Sequence, residues 1–357
     1  MNELELTPSQ HSQTSIDDAW TSVLNELYGL VSISHFKSPK DAHVGQIRAY
    51  NVSTGRFISG VSQCYLRAPI IEHFNRTGRL DNRFIGLKDA DELGLKLYEG
   101  AKPKVILRYA NSKVDTQFDD STGELIESVT ELNQPYRSFQ NVYHFSQFED
   151  VPETASDFQD VECVTVEDIN QLMVSVTKQL GVEIRILDKP TATFSYADRI
   201  IYLPHPQLFR SSDDFYGQAV RQLSKAVILC ADLPLANAVN ANEASEKIEL
   251  ASTLLCDRLE SSLMYKIRGE INKSVCAEAL ATLSSKPMEL LTLMFAIEQC
   301  ANYVVNHSGL VVKLLTMQSM LSESYQKQVL ENLNRFSEKP KSPVGVEQFS
   351  ENITIEL

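Results

Sequence analysis

Apolar residues recur with a helical period in SIDDAWTSVLNELYGL (15–30), where Ile16, Trp20, Val23, Leu24 and Leu27 share one face behind a Ser/Asp start. The stretch YNVSTGRFISGVSQCYLRAPIIEHF begins with turn residues Asn51, Gly55 and Gly60 and then takes on a helical pattern. A short helix at 89–93, a Gly-bounded stretch and the strand KVILRYA follow. Next, DTQFDDSTGELIESVTELNQ reads as a polar, acidic insertion before the strand-like FQNVYHFSQFEDV. Beyond Val166 the period is mostly helical, broken by VEIRIL and by FSYADRIIYLP, which predicts a hairpin around Ala197 and Asp198. A last long helix is predicted over 310–336. The pattern predicts an α+β protein: a mixed N-terminal domain, then a mostly helical domain with a small β-sheet.

Composition narrows the class. The 357 residues suffice for two or three domains. No apolar run approaches the ~20 residues of a membrane span, so no membrane association is expected. The start, MNELELTPSQHSQTS, has acids where a secretory leader needs basic residues. The six cysteines include no C-x-x-C pair, so reduced thiols and a cytoplasmic location are expected. Net charge is −14, yet its distribution is uneven. Basic residues outnumber acids from Arg48 to Lys113, whereas from Val114 to Asn170 acids prevail and Arg137 is the one basic residue. A locally positive module in an acidic chain is compatible with selective polyanion binding and equally with plain solvated surface.

Nucleotide and hydrolase signatures are missing: there is no G-x-x-x-x-G-K-[ST] and no G-x-S-x-G. His35, His43, His73, His144, His205 and His307 are isolated and read as surface or core residues. One short region does concentrate useful chemistry. Single strands are bound by cations that follow phosphates and by flat groups on which bases stack. Arg48, Tyr50, Asn51, Thr54, Arg56 and Phe57 offer that mixture within ten residues, and Lys102 and Lys104 add charge after Gly100. Phe57 fits a core role and a stacking role equally; Arg56, beside a glycine, is the favoured phosphate contact.

These residues carry a family resemblance. YNVSTGRFISGVSQCYL resembles the opening motif of the single-stranded-DNA-binding domain in ArdC-type plasmid antirestriction proteins, through Asn51, Thr54, Gly55, Arg56 and Gly60. Ile58 and Ser62 depart from the Tyr and Asn usual there. A second block keeps Ala90, Leu93, Gly94, Gly100 and Lys102 with Phe84 for Trp, and a third keeps Val142, Tyr143, Phe145, Gln147 and Pro152. Three blocks in order span about 110 residues.

The resemblance extends to the family's zincin-like second half, a Y-x-x-x-D-R-I-x-L-P strand, a helix with H-E-L-x-H and a later Glu-bearing helix. Tyr196, Asp198, Arg199, Ile200, Leu203 and Pro204 match the strand. In the helix register, Arg221 stands for the first His, Gln222 for Glu, Leu223 is kept, Ser224 follows and Lys225 stands for the second His. SEKIELASTLLCDRL resembles the third-ligand helix, which puts Glu249 at the ligand position. Zinc needs neutral imidazoles at i, i+4 plus a carboxylate, and the intervening Glu serves as general base. Arg221 and Lys225 are cations and Gln222 is no base, so the resemblance implies a degenerate metal site with no metal or other cofactor and no peptidase activity. An ion pair of Glu249 with Arg221 or Lys225 is expected to replace the metal charge.

The resemblance therefore implies domains at 15–152 (single-stranded-DNA-binding) and 169–336 (pseudo-metallopeptidase), joined by an acidic linker at 153–168. Polar segments at 1–14 and 337–357 flank them. The implied function is non-enzymatic protection of DNA for a plasmid, phage or other mobile element. Its partners are single-stranded DNA and a host or mobile-element protein. The alternative is an acidic interaction or DNA-mimic protein that has lost DNA binding.

Overall fold

The computed structural model describes residues 21, 23–25, 48–58, 60, 62–119, 124–151, 164–233, 245–265, 267, 272–320, 323 and 327. The polar termini, most of the expected linker and residues 328–336 of the last helix lie outside these residues. Of the first expected helix, residues 21 and 23–25 are described and are helical, with Val23 buried.

The N-terminal region is built on a five-stranded sheet of order β2-β1-β3-β5-β4. Its strands are β1 (Tyr50–Asn51), β2 (Arg56–Phe57), β3 (Arg83–Ile85), β4 (Lys104–Asp119) and β5 (Glu124–His144). β1 runs parallel to β3; the other pairs are antiparallel. Helices α1 (Ser62–Thr77) and α2 (Leu87–Glu92) lie in the β2–β3 and β3–β4 connections.

The acidic insertion expected between two strands is instead strand. β4 and β5 pair residue by residue from Lys104↔Val142 to Asp119↔Glu124, with one irregularity between Ala110 and Ser112. Asp and Glu are poor strand formers by composition, so the pairing partner rather than local propensity decides this segment.

The helical region begins with α3 (Val166–Leu180). Its first turn overlaps the expected linker, because Thr165 and Asp168 form a capping box: Asp168 N donates to Thr165 Oγ1 at 3.2 Å and Thr165 N to Asp168 Oδ2 at 2.7 Å. Ile169, Leu172, Met173, Val176 and Leu180 make the buried stripe, and Gly181 closes the helix at φ 64°.

A three-stranded sheet of order β6-β8-β7 follows, from β6 (Glu183–Leu187), β7 (Thr193–Ser195) and β8 (Ile200–Pro204). β7 and β8 form the expected hairpin, with Ser195 opposite Ile200. The long helices are α4 (Ser212–Cys230), α5 (Ser245–Leu263), α6 (Lys273–Ser284) and α7 (Pro287–His307), and residues 311–320 continue as α8.

The two regions share one contiguous core of buried residues, including Leu66 and Ile70 of α1 and Leu254, Leu255 and Leu259 of α5. Charges tie them as well. Arg67 of α1 pairs with Asp257 of α5 and, at 3.2 Å, with Glu260. Cys256, Cys276 and Cys300 are buried thiols, Cys230 a half-buried one. Among the described residues no helix is long and apolar enough to cross a membrane.

Candidate functional site

Two places hold the residues singled out by sequence. The first is the β1–β2 hairpin. Asn51 Oδ1 accepts from Ser53 N at 3.0 Å and Thr54 N at 3.3 Å, and Gly55 takes φ 65°. An Asx-type turn closed by a left-handed glycine sets Tyr50 opposite Phe57 and Asn51 opposite Arg56.

This geometry divides the expected nucleic-acid set. Thr54 and Arg56 are exposed, and Lys102 is exposed on the approach to β4. Lys104 is half-buried at the start of β4. Arg48, Tyr50 and Asn51 are buried, so they do not lie on the open surface where the sequence reading placed them. Tyr50 is a core ring packed edge-on against Phe57 at 5.3 Å, and Asn51 is spent on the turn. Phe57 is half-buried, with the Arg48 guanidinium 4.8 Å over its ring, which favours its packing role.

At β1 and β3 the sheet offers no open face. Tyr50 and Asn51 point to opposite sides and both are covered, as are Arg83, Phe84 and Ile85 in the next strand. Arg56 lies on one edge strand and Lys104 on the other, with three strands between. At ~4.8 Å per step the two edges stand about 19 Å apart.

The second place is the α4–α5 contact. Ser211 caps α4 by accepting from Asp214 N at 3.1 Å. The i, i+4 spacing then aligns Arg221 and Lys225 toward α5. Arg221 Nη2 donates to Glu249 Oε1 at 2.5 Å and to Thr253 Oγ1 at 3.1 Å. Lys225 Nζ lies 2.8 Å from Glu249 Oε2. One carboxylate thus serves two cations, and the group carries a surplus positive charge.

Burial pushes the Glu249 carboxyl up, but the Lys225 hydrogen bond and the Arg221 charge outweigh it and hold the group below its ordinary range. Gln222 is buried and its Oε1 has no hydrogen-bond partner. Cys256 lies 3.4 Å from Ser224 Oγ, and burial raises its thiol pKa.

The donor set does not suit a divalent cation. Ammonium and guanidinium have no lone pair to offer, and both Glu249 oxygens are engaged. Among the described residues, no group of three His, Cys, Asp or Glu is placed to hold a metal.

A third cluster escaped the sequence reading. In the core beside β3, Arg83 grips Asp81 through Nε to Oδ1 at 2.9 Å and Nη2 to Oδ2 at 2.8 Å. The Arg83 guanidinium also sits 4.4 Å over the Phe145 ring. His144 Nε2 is 2.7 Å from the Asp81 carbonyl, which only accepts, so Nε2 carries the proton and Nδ1 accepts from Ser146 Oγ at 2.7 Å. Burial drives the His144 pKa down to about 4. The D-x-R spacing of Asp81 and Arg83 was the available signal, but only the fold shows that it is buried.

Comparison with known proteins places this geometry. No protein-family model matches the sequence, and no curated protein matches it. Solved structures do. The metal-free crystal structure of the antirestriction ArdC protein from the R388 plasmid aligns with 81% of this chain and 97% of its own, at TM-score 0.52 and 15% identity. Its Mn(II)-bound structure aligns over the same shares, at TM-score 0.50 and 14% identity. The chain has the α+β fold of that protein.

Proposed function

We propose that this chain, built on the fold of the antirestriction ArdC protein, is a non-enzymatic single-stranded-DNA-binding protein with an antirestriction or DNA-protecting role. Its mechanism is physical. The N-terminal module holds an entering strand at the hairpin edge through Arg56 and Thr54, and Lys102 adds a second phosphate contact at the far edge. The helical module is a scaffold, or the surface for a host or mobile-element protein. The chain acts in the cytoplasm.

One observation carries the non-enzymatic reading: the double ion pair of Glu249. The similar ArdC crystal structure exists in a Mn(II)-bound form, whereas in this chain two cations share the Glu249 carboxylate. A guanidinium has no lone pair for a metal, and Gln222 cannot take a proton from water. The surplus positive charge repels a metal ion, so the position serves packing in place of hydrolysis.

A second reading, that of an acidic interaction or DNA-mimic protein, is favoured by the β4–β5 pair. Between 114 and 139 it carries Asp115, Asp119, Glu124, Glu127 and Glu131 against Arg137 alone.

A gel shift with single- and double-stranded oligonucleotides at two salt concentrations separates them. The proposal expects retention of the single strand, weakening at higher salt. No retention at low salt rejects it in favour of the acidic reading.

A further inference from the structure

Among the described residues, buried and half-buried arginines of the core have carboxylate partners. Arg67, Arg83, Arg221 and Arg258 each stand within salt-bridge distance of a carboxylate. Arg48 does not. Its side chain is 8% exposed, its Nε and Nη1 find no hydrogen-bond partner, and among the described residues no carboxylate pairs with it. Its backbone is pinned where Asn82 Nδ2 donates to its carbonyl at 2.7 Å, which fixes where the side chain starts.

The charge that acts on Arg48 from the helical region is another cation, Arg258 of α5. Arg258 is itself satisfied by Glu298 at 2.7 Å and by Ser262. The Phe57 ring under the guanidinium offsets part of the desolvation but accepts none of the in-plane N–H bonds. A buried, uncompensated cation is costly, and a fold that pairs its other buried arginines has no packing reason to keep it.

We infer that Arg48 is the receptor for a phosphate group that a ligand brings to the junction between the β1–β2 hairpin and α5. The ligand reading rests on the single-strand function proposed above, although free phosphate shares the chemistry. Phe57 sits half-buried on a two-residue edge strand, and its ring is the group a phosphate displaces to reach the guanidinium. A bound strand then places one phosphate beneath the hairpin, while Arg56 and Thr54 hold its neighbours outside. This explains why a cation counted by sequence among surface contacts is found inside.

The test uses the full chain with Arg48→Met, which keeps length and apolar contact and removes the charge. In the absence of ligand, its Tm is expected to match or exceed that of the parent protein. Affinity for a labelled single strand, read by anisotropy well below Tm, is expected to fall about tenfold or more. Inorganic phosphate, set against chloride at equal ionic strength, is expected to raise the Tm of the parent and not of the variant.

Unchanged strand affinity in Arg48→Met overturns the inference and leaves the proposed function standing. A lowered Tm with an undiminished phosphate response also overturns it. A parent protein that answers to phosphate through Arg48 but binds no strand keeps the receptor and rejects the strand function. No response to either ligand rejects both. Should Arg48→Met fail to fold, Arg48→Lys keeps the charge and loses the fork, and strand affinity equal to the parent's then overturns the inference.

Discussion

Asp81 and Glu249 are both carboxylates gripped by arginine in the interior, and the company they keep differs. Asp81 meets Arg83 in a bidentate pair, one anion for one cation, with a neutral His144 capping the Asp81 carbonyl. Glu249 is shared by Arg221 and Lys225, one anion for two cations, and the Lys225 side chain is still 25% exposed. The first group balances its charge and closes on itself, as a structural device should. The second keeps an excess of positive charge at the contact between α4 and α5.

The contrast can be broken by substitution, and the largest effect belongs to the closed pair. Asp81→Ala strands a fully buried Arg83 and is expected to cost about 3–5 kcal/mol in urea unfolding. Glu249→Ala is expected to cost less, about 2 kcal/mol, because Lys225 can turn to water and Arg221 keeps its bond to Thr253 Oγ1. Equal losses would erase the distinction drawn between the two groups.

Acid sharpens the same comparison. In the unfolded chain His144 takes a proton near its ordinary 6.5, while in the fold it resists until about 4. Between those values the unfolded state binds more protons, so stability is full above 6.5 and falls by about 3 kcal/mol as pH drops to 4. His144→Gln is expected to flatten that slope. Glu249, held below its ordinary 4.5, contributes above that value and loses its contribution only as pH falls further. Denaturation midpoints across pH 3–8 (a range of about five units) separate the two windows.

Chemistry supplies a third break. Arg221→His, Gln222→Glu and Lys225→His together offer two imidazoles at i, i+4 with Glu249 facing them. The triple variant is expected to gain about one equivalent of zinc by elemental analysis. No gain would show that α4 and α5 do not frame a metal position. The smallest expected effect is on the hairpin side: Arg56→Ala with Lys102→Ala should weaken single-strand binding and lower its salt dependence by about two phosphate contacts, with Tm unchanged.

Much of this was legible in the residues. Gly55 and Gly100 adopt the positive φ that their turns require, and FSYADRIIYLP forms its hairpin. The i, i+4 cations and the later Glu249 meet as the family resemblance implied. Burial was harder to read. A two-residue strand such as β1 has too few positions to show alternation, so Tyr50 and Asn51 looked like surface groups although both are buried. The acids of 114–131 hid a strand pair because partner pairing, not composition, orders it. The Thr165–Asp168 box looked like linker because it is made of the same polar residues. The Asp81–Arg83–His144 cluster joins β5 to the residues flanking and forming β3, far apart in sequence, so no local pattern could announce it.

The measurement that meets the central claim most directly is the binding of a labelled single strand to the full chain, first with a chelator and then with Mn(II) added. The account predicts the same isotherm in both, with the strand intact. Binding that appears only with metal, or a strand or protein partner cleaved in its presence, would contradict it.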